Sequence, residues 1–232
     1  MTVHTYHEPV PGMDRTEILS LWAESWRRHG WEPVVHSRAE ASAHPQAGSY
    51  ETRITGLPTV NPRAYEDACW RRWLVAAQVG GFWCDDDLVN VGFTAEEARD
   101  GMAQHVWVER FLAWHDGAHP NAGLLLGTRG HYQDFVDRVL SGELLTVDCL
   151  NGQPHTSDMY LWHHFWRAGV THDVRGVMAC YGVPAAMHAR LIHCSYDATT
   201  ARGVDRVAAI RGLVRPPKDE FGKQEDRKGN DQ

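Results

Sequence analysis

Apolar residues recur at helical spacing in several stretches of the chain. Ile18, Leu21, Trp22 and Trp26 form one stripe, closed by Gly30, and Asp14 with Glu17 ahead of it has the spacing of a capping box. Tyr65, Cys69, Trp73, Ala76 and Ala77 form a second stripe and predict a helix over 63–79 packed on a core, with Pro62 in its first turn and Gly80-Gly81 at its end. Tyr132, Phe135, Val136 and Val139 mark a third helix, stopped at Gly142. Leu161, Trp162, Phe165 and Trp166 mark a fourth, between Thr156-Ser157-Asp158 and Gly169, where Ser157 or Asp158 is placed to act as an N-cap. Thr94 to Asp100 reads as a short helix, and Val204 to Val214 as a terminal one.

Extended segments lie between them. Val3 to His7 alternates and reads as a first strand, and Trp31 to His36 as a second, with Val34 and Val35 as its core contribution. Strand, helix, strand at this spacing predicts a βαβ unit and a parallel sheet. His105 to Trp114 is β-compatible, Asn121-Ala122-Gly123-Leu124-Leu125-Leu126 reads as a buried strand opening on a turn, and Ala189 to Ser195 as a last strand with His193 near its end. Residues 37–62 lack clear periodicity and contain Pro45, Gly48, Gly56, Pro58 and Pro62, which predicts a loop with short elements at most. No internal repeat is present.

The stretch Gly80-Gly81-Phe82-Trp83-Cys84-Asp85-Asp86-Asp87 changes the picture from fold to chemistry. A strand carrying Phe82 and Trp83 inward delivers three carboxylates to its end, and alternation puts Asp85 and Asp87 on one face. Parallel sheets bind ligands beyond the carboxyl ends of their strands. Two converging carboxylates there form a hard-oxygen site for Mn²⁺ or Mg²⁺, ions that take carboxylates together with substrate phosphates. The plain alternative is a solvated acidic turn.

Composition sets outer bounds. Lys plus Arg minus Asp plus Glu is 23 − 30 = −7, which lacks the basic footprint of a tight duplex-DNA binder. Five cysteines without C-x-x-C spacing predict a reducing compartment and buried thiols. No apolar run approaches the roughly 18 residues that span a bilayer, and the N-terminal residues lack signal-peptide character, so a cytoplasmic protein is expected. Ten tryptophans and fifteen histidines suit either an aromatic cleft that stacks sugars and bases or a core filled with large rings.

The string Arg72-Trp73-Leu74-Val75 through Gly80-Gly81-Phe82-Trp83-Cys84-Asp85-Asp86-Asp87 resembles the Arg-Tyr…Gly-Gly-x-Tyr-x-Asp-x-Asp signature. That signature belongs to DXD glycosyltransferases of the GT-A fold, a family that includes the yeast initiating mannosyltransferases and the glucosylating clostridial toxins. The resemblance implies an α/β protein built as a single GT-A-like, Rossmann-like domain over 1–215. Its central sheet would be mixed, mostly parallel and flanked by helices. Residues 216–232 are charged, contain glycine and carry few apolar positions, which predicts a disordered tail. The resemblance also implies a nucleoside-diphosphate sugar donor, UDP- or GDP-linked, a divalent ion, and retention of anomeric configuration.

Residue by residue, Arg72 matches the arginine that helps hold the sugar diphosphate, and Asp85 and Asp87 match the aspartates that bind ribose, sugar and metal. Asp85 and Asp86 with Arg72 and Asn121 are the expected donor contacts, and Asp85, Asp87 and His193 the expected metal ligands. Asp85 is also expected among the catalytic groups, with Asp158 as general base reaching the sugar from a helix N-terminus. The family's aspartate three residues before the arginine is Cys69 here, and Asp67 lies on another helical face. Two other readings share the paired carboxylates: a metal-dependent nucleotidyltransferase or phosphohydrolase, and a nucleotide-sugar-binding module without turnover. The acceptor is left open among a glycan, a protein, a small molecule and a modified DNA base, and no membrane partner is expected.

Overall fold

The computed structural model describes residues 1–104, 110–114, 123–142, 145, 148–150, 152–174, 177–182 and 188–215. Asn121 and the tail from Pro216 lie outside the described residues. The chain opens with β1 (Thr2–Tyr6), α1 (Thr16–Arg27) and β2 (Glu32–His36), followed by α2 (Arg38–Ser42), α3 (Ala47–Thr55) and α4 (Arg63–Val79). Next come β3 (Gly81–Cys84), β4 (Leu88–Asn90), α5 (Ala95–Gln104), β5 (Phe111–Trp114), β6 (Leu124–Gly127) and α6 (Arg129–Ser141). The hairpin β7 (Asp148–Leu150) and β8 (Gln153–His155) precedes α7 (Asp158–Arg167), β9 (Thr171–Val174), β10 (Met178–Cys180), β11 (Leu191–His193), α8 (Tyr196–Thr200) and α9 (Arg206–Val214).

A six-stranded sheet runs in the order β2-β1-β3-β6-β5-β9. The β1–β2, β1–β3 and β5–β9 pairs are parallel, whereas β6 runs antiparallel to both neighbours. The protein is therefore a mixed α/β domain with helices on both faces, consistent with the GT-A-like architecture implied by the resemblance. Along β3 the two-residue alternation sends Trp83 into a cluster with α3, α4, α6 and α7, and Phe82 and Cys84 into another with Trp22 and Trp26 of α1. Both faces of the strand are covered, so Phe82 and Trp83 are alike buried.

A second sheet, β10-β11-β4, leans on α1 and α9. Ile18 and Leu21 of α1, Val89, Ile192, and Ile210 and Val214 of α9 share one apolar cluster. This packing carries the end of β11 to the end of β3, as the Cys194 amide donating to the Asp87 carbonyl at 2.9 Å records.

Several sequence expectations need correction. Asp14 and Glu17 form no capping box: the Asp14 carboxylate takes the Thr16 amide at 2.9 Å, and Glu17 pairs instead with Arg211. Val34 and Val35 are not core residues, because β2 is the sheet's edge strand and Val35 is exposed. Residues 37–62 hold two helices. Ser37 and Glu40 form a capping box at α2, and α3 buries only Tyr50 and Ile54, too few positions for a periodic signal. On α4, Trp70, Trp73, Leu74 and Ala77 face the core, whereas Tyr65 and Cys69 are half-buried. The tryptophans at 22, 26, 31, 70, 73, 83, 114 and 162 are all buried, which favours core filling over an aromatic cleft.

Candidate metal and donor site

The strand order reverses around β1: the chain goes from β1 to β2 on one side and returns through β3 on the other. Ligands of open α/β sheets bind outside the carboxyl ends of strands at such a switch point. Asp85, Asp86 and Asp87 occupy the turn that leaves β3 there, closed by the Leu88 amide donating to the Asp85 carbonyl at 3.2 Å. Asp85 and Asp87 converge because the backbone turns. The strand ends at Cys84, so extended alternation is not the cause.

His193, which pairs in register with Leu88 across the β11–β4 ladder, projects into the same turn. Its Nε2 lies 3.2 Å from Asp87 Oδ1 and 3.9 Å from Asp85 Oδ2. One ligand atom from each of the three residues falls within 4.8 Å of the other two. Asp87 Oδ1 is buried and has no hydrogen-bond donor among the described residues, so its contact with His193 is an ion pair without hydrogen-bond alignment. A buried carboxylate oxygen left in that state is costly unless something else satisfies it. Two carboxylates and an imidazole at these separations fit a divalent ion of the Mn²⁺ or Mg²⁺ kind.

The electrostatics run the same way. Burial disfavours charge on both Asp87 and His193, yet the two hold each other ionised. With the help of Arg206, Asp87 sits below the usual carboxylate range, and with the help of Asp85, His193 sits well above the usual imidazole value. Asp86 behaves differently: burial pushes its carboxyl up to about 7 against the opposing pull of Arg15. Its Oδ1 accepts from Arg15 Nη1 at 2.8 Å, so Asp86 belongs to that pair and stands outside the metal-ligand cluster.

Arg72, on α4, reaches from the helix to the turn. Its Nη1 contacts Asp85 Oδ1, and its Nε and Nη2 donate to Asp158 Oδ2 at 3.2 and 2.6 Å. Asp158 is 2% exposed and also accepts from Trp73 Nε1 at 2.9 Å, while the guanidinium carbon of Arg72 lies 4.5 Å from the Trp73 ring centre. Asp158 thus stands behind Arg72, separated from the three-residue cluster by that side chain.

Sequence reasoning missed three residues of this region. Arg15 and Arg206 pair with Asp86 and Asp87 across 71 and 119 residues, distances over which a single sequence carries no pairing signal. Glu66 was legible in principle, because 66, 69 and 72 share one helical face. Its Oε2 accepts from Asn61 Nδ2 at 2.8 Å, while its buried Oε1 has no partner among the described residues.

Burial pushes the Glu66 carboxyl up to about 7. The unfolded chain therefore loses this proton near pH 4.5, before the folded chain does. Stability is full below that pH and falls as pH rises through about 7, by about 3 kcal/mol. Glu66→Gln is expected to remove this slope and to raise the unfolding free energy at pH 8 by about 3 kcal/mol, read as paired urea titrations at pH 5 and pH 8.

Comparison with known proteins adds little to this geometry. No protein-family model matches the chain, and no curated protein matches it. Among solved structures it aligns with the crystal structure of a glycosyltransferase involved in the glycosylation of the major capsid of PBCV-1. That alignment has a TM-score of 0.47 and 8% sequence identity, over 91% of this chain and 98% of that one. At that level the likeness carries no argument about chemistry.

Among the described residues, no helix is long and apolar enough to cross a membrane. A cavity of about 410 Å³ opens at the opposite end of the sheet, near Thr2, Phe82, Met102 and Leu126. Its lining is mainly apolar and holds none of the carboxylates described above.

Proposed function

We propose that the protein is a metal-dependent glycosyltransferase that takes its sugar from a nucleoside-diphosphate donor. The observation that carries this reading is the meeting of Asp85, Asp87 and His193 at the carboxyl end of β3, with Arg72 of α4 beside them. These three residues would hold a divalent ion, which would supply Lewis-acid stabilisation of a leaving diphosphate. The residues of the chain do the rest. Asp87 and His193 would hold the ion, and the Asp85 carboxylate, which also meets Arg72, would complete the ligand set. Arg72, its fork engaged by Asp158 and Asp85, adds a fixed positive charge and its remaining N–H groups beside the donor's phosphates. Asp158, expected from sequence as a general base, is better read as the residue that orients Arg72, because its Oδ2 is saturated by Arg72 and Trp73.

The resemblance in sequence supports retention at the anomeric carbon and a UDP- or GDP-sugar. The Cys69 position, where the family has an aspartate, leaves the sugar's hydroxyls without that contact. Glu66, one turn earlier on the same face, is the nearest carboxylate in sequence on that face.

The test is release of nucleoside diphosphate from a panel of UDP- and GDP-sugars with Mn²⁺, Mg²⁺ or EDTA, alone and with pooled glycan, protein, small-molecule and DNA acceptors. Release that depends on the metal and on one donor is expected. No release in any combination, together with no metal-dependent binding of UDP or GDP by calorimetry, would rule the proposal out.

A further inference from the structure

Each aspartate of the triplet is matched by its own arginine, and the three arginines arrive from three different places in the fold. Arg72 of α4 meets Asp85, Arg15 from the segment before α1 meets Asp86, and Arg206 in the first turn of α9 meets Asp87, its Nη1 lying 3.2 Å from Asp87 Oδ2. Three carboxylates thus face three guanidinium groups, with His193 as a further cation beside Asp87 and Asp158 as a further anion behind Arg72. A divalent cation at Asp85, Asp87 and His193 would displace the His193 proton and still add net positive charge, and Asp87 would then serve as counter-ion to both the cation and Arg206. A nucleoside diphosphate brings negative charge that offsets this addition.

The three arginines are not equally able to respond. Arg72 is held from two sides, by Asp158 and by Asp85, and lies over the Trp73 ring. Arg15 is held by Asp86, which stands outside the metal-ligand cluster and keeps its partner. Arg206 touches Asp87 through one nitrogen only and, among the described residues, no other acceptor. A guanidinium carries five N–H donors in a fork suited to phosphate oxygens, and the Arg206 side chain is still 19% exposed. Its backbone is firmly held. Asp205 caps α9 by accepting from the Ala208 amide at 2.9 Å, and Ile210 and Val214 anchor the helix in the cluster shared with α1.

We infer that Arg206 has two successive duties: counter-ion to Asp87 before a divalent ion binds, and ligand to the donor's diphosphate once the ion has taken Asp87. This rests on the transferase reading and extends it to the C-terminal helix, which would then close one side of the donor site.

The two duties give Arg206→Gln effects of opposite sign, which a merely structural role does not. Titration calorimetry on the full chain would measure Mn²⁺ alone, then UDP and GDP at saturating Mn²⁺. In Arg206→Gln, loss of a competing charge beside the ion is expected to tighten Mn²⁺ about tenfold. Loss of the fork is expected to weaken the bound nucleotide about tenfold. Arg206→Lys should keep wild-type Mn²⁺ affinity and recover part of the nucleotide affinity. Arg211→Gln, on the same helix but paired with exposed Glu17, should change neither.

Weakening of both ligands together in Arg206→Gln, with Arg206→Lys no better, would overturn the inference and leave Arg206 as a prop for the turn. So would unchanged nucleotide affinity. Absence of both metal and nucleotide binding in the wild-type chain would instead overturn the transferase reading on which the inference rests.

Discussion

Asp87→Asn is expected to lower metal-dependent release of nucleoside diphosphate about a thousandfold, near 4 kcal/mol of lost transition-state stabilisation. Asp87 is the one residue that both faces the metal-ligand cluster through Oδ1 and meets Arg206 through Oδ2. An amide there presents one neutral oxygen, so the ion loses a charged ligand and two nearby cations lose their common partner. The same variant should lose the thermal stabilisation that Mn²⁺ confers on the wild type. At a hundredfold excess over its dissociation constant a ligand contributes about 2.7 kcal/mol, equivalent to about 5–10 °C for a chain of this size. Thermal melts with and without Mn²⁺ read this independently of any acceptor. Asp86→Asn is the contrasting case, because Asp86 belongs to Arg15: its melts should keep their response to Mn²⁺. An Asp87→Asn protein that kept both donor turnover and its Mn²⁺ response would remove Asp87 from the metal site.

Much of this arrangement was legible in the residues, and the parts that were not have definite causes. The stripe on α4, with Pro62 before it and Gly80-Gly81 after it, predicted a helix over 63–79, and α4 spans Arg63–Val79. Gly80 and Gly81 both adopt positive φ, the conformation that lets the chain leave α4 and enter β3 within two residues. The reading of His193 at the end of a late strand agrees with its place on β11. What failed was of two kinds. Short helices such as α2 and α3 bury too few residues to impose a period, although Ser37 and Glu40 did carry a capping signal for α2. Long-range ion pairs leave no local trace, so the matching of Arg15 and Arg206 to the acidic turn emerges only once α1, α9 and the small sheet are packed together. Asp158 lies between these cases. Its position at a helix start was evident, but its partner, Arg72, was not.

The Asp158–Arg72 pair gives the second large effect, which concerns stability and binding together. Asp158→Ala is expected to destabilise the protein by about 3–5 kcal/mol, the usual result of removing one member of a buried ion pair and leaving the other charge uncompensated. The melting temperature should fall by about 10 °C. Arg72 would keep only Asp85, Trp73 Nε1 would lose its acceptor, and the hydroxyl of Ser157, 3.3 Å from Asp158 Oδ1, would lose one as well.

Asp158→Asn keeps an oxygen for Trp73 and separates the two roles considered for this residue. As the group that orients Arg72, Asp158 should when neutralised raise the donor KM and weaken UDP or GDP binding about tenfold, with kcat and the acid limb of the pH–rate profile little changed. As a general base it would control that limb, and the amide would abolish the limb together with most of kcat. The packing of Asp158 beneath Arg72 and Trp73, 2% exposed, favours the first outcome. It also couples the α7 N-terminus to the acidic turn through a single guanidinium, so that damage at Asp158 should be felt as loss of nucleotide affinity.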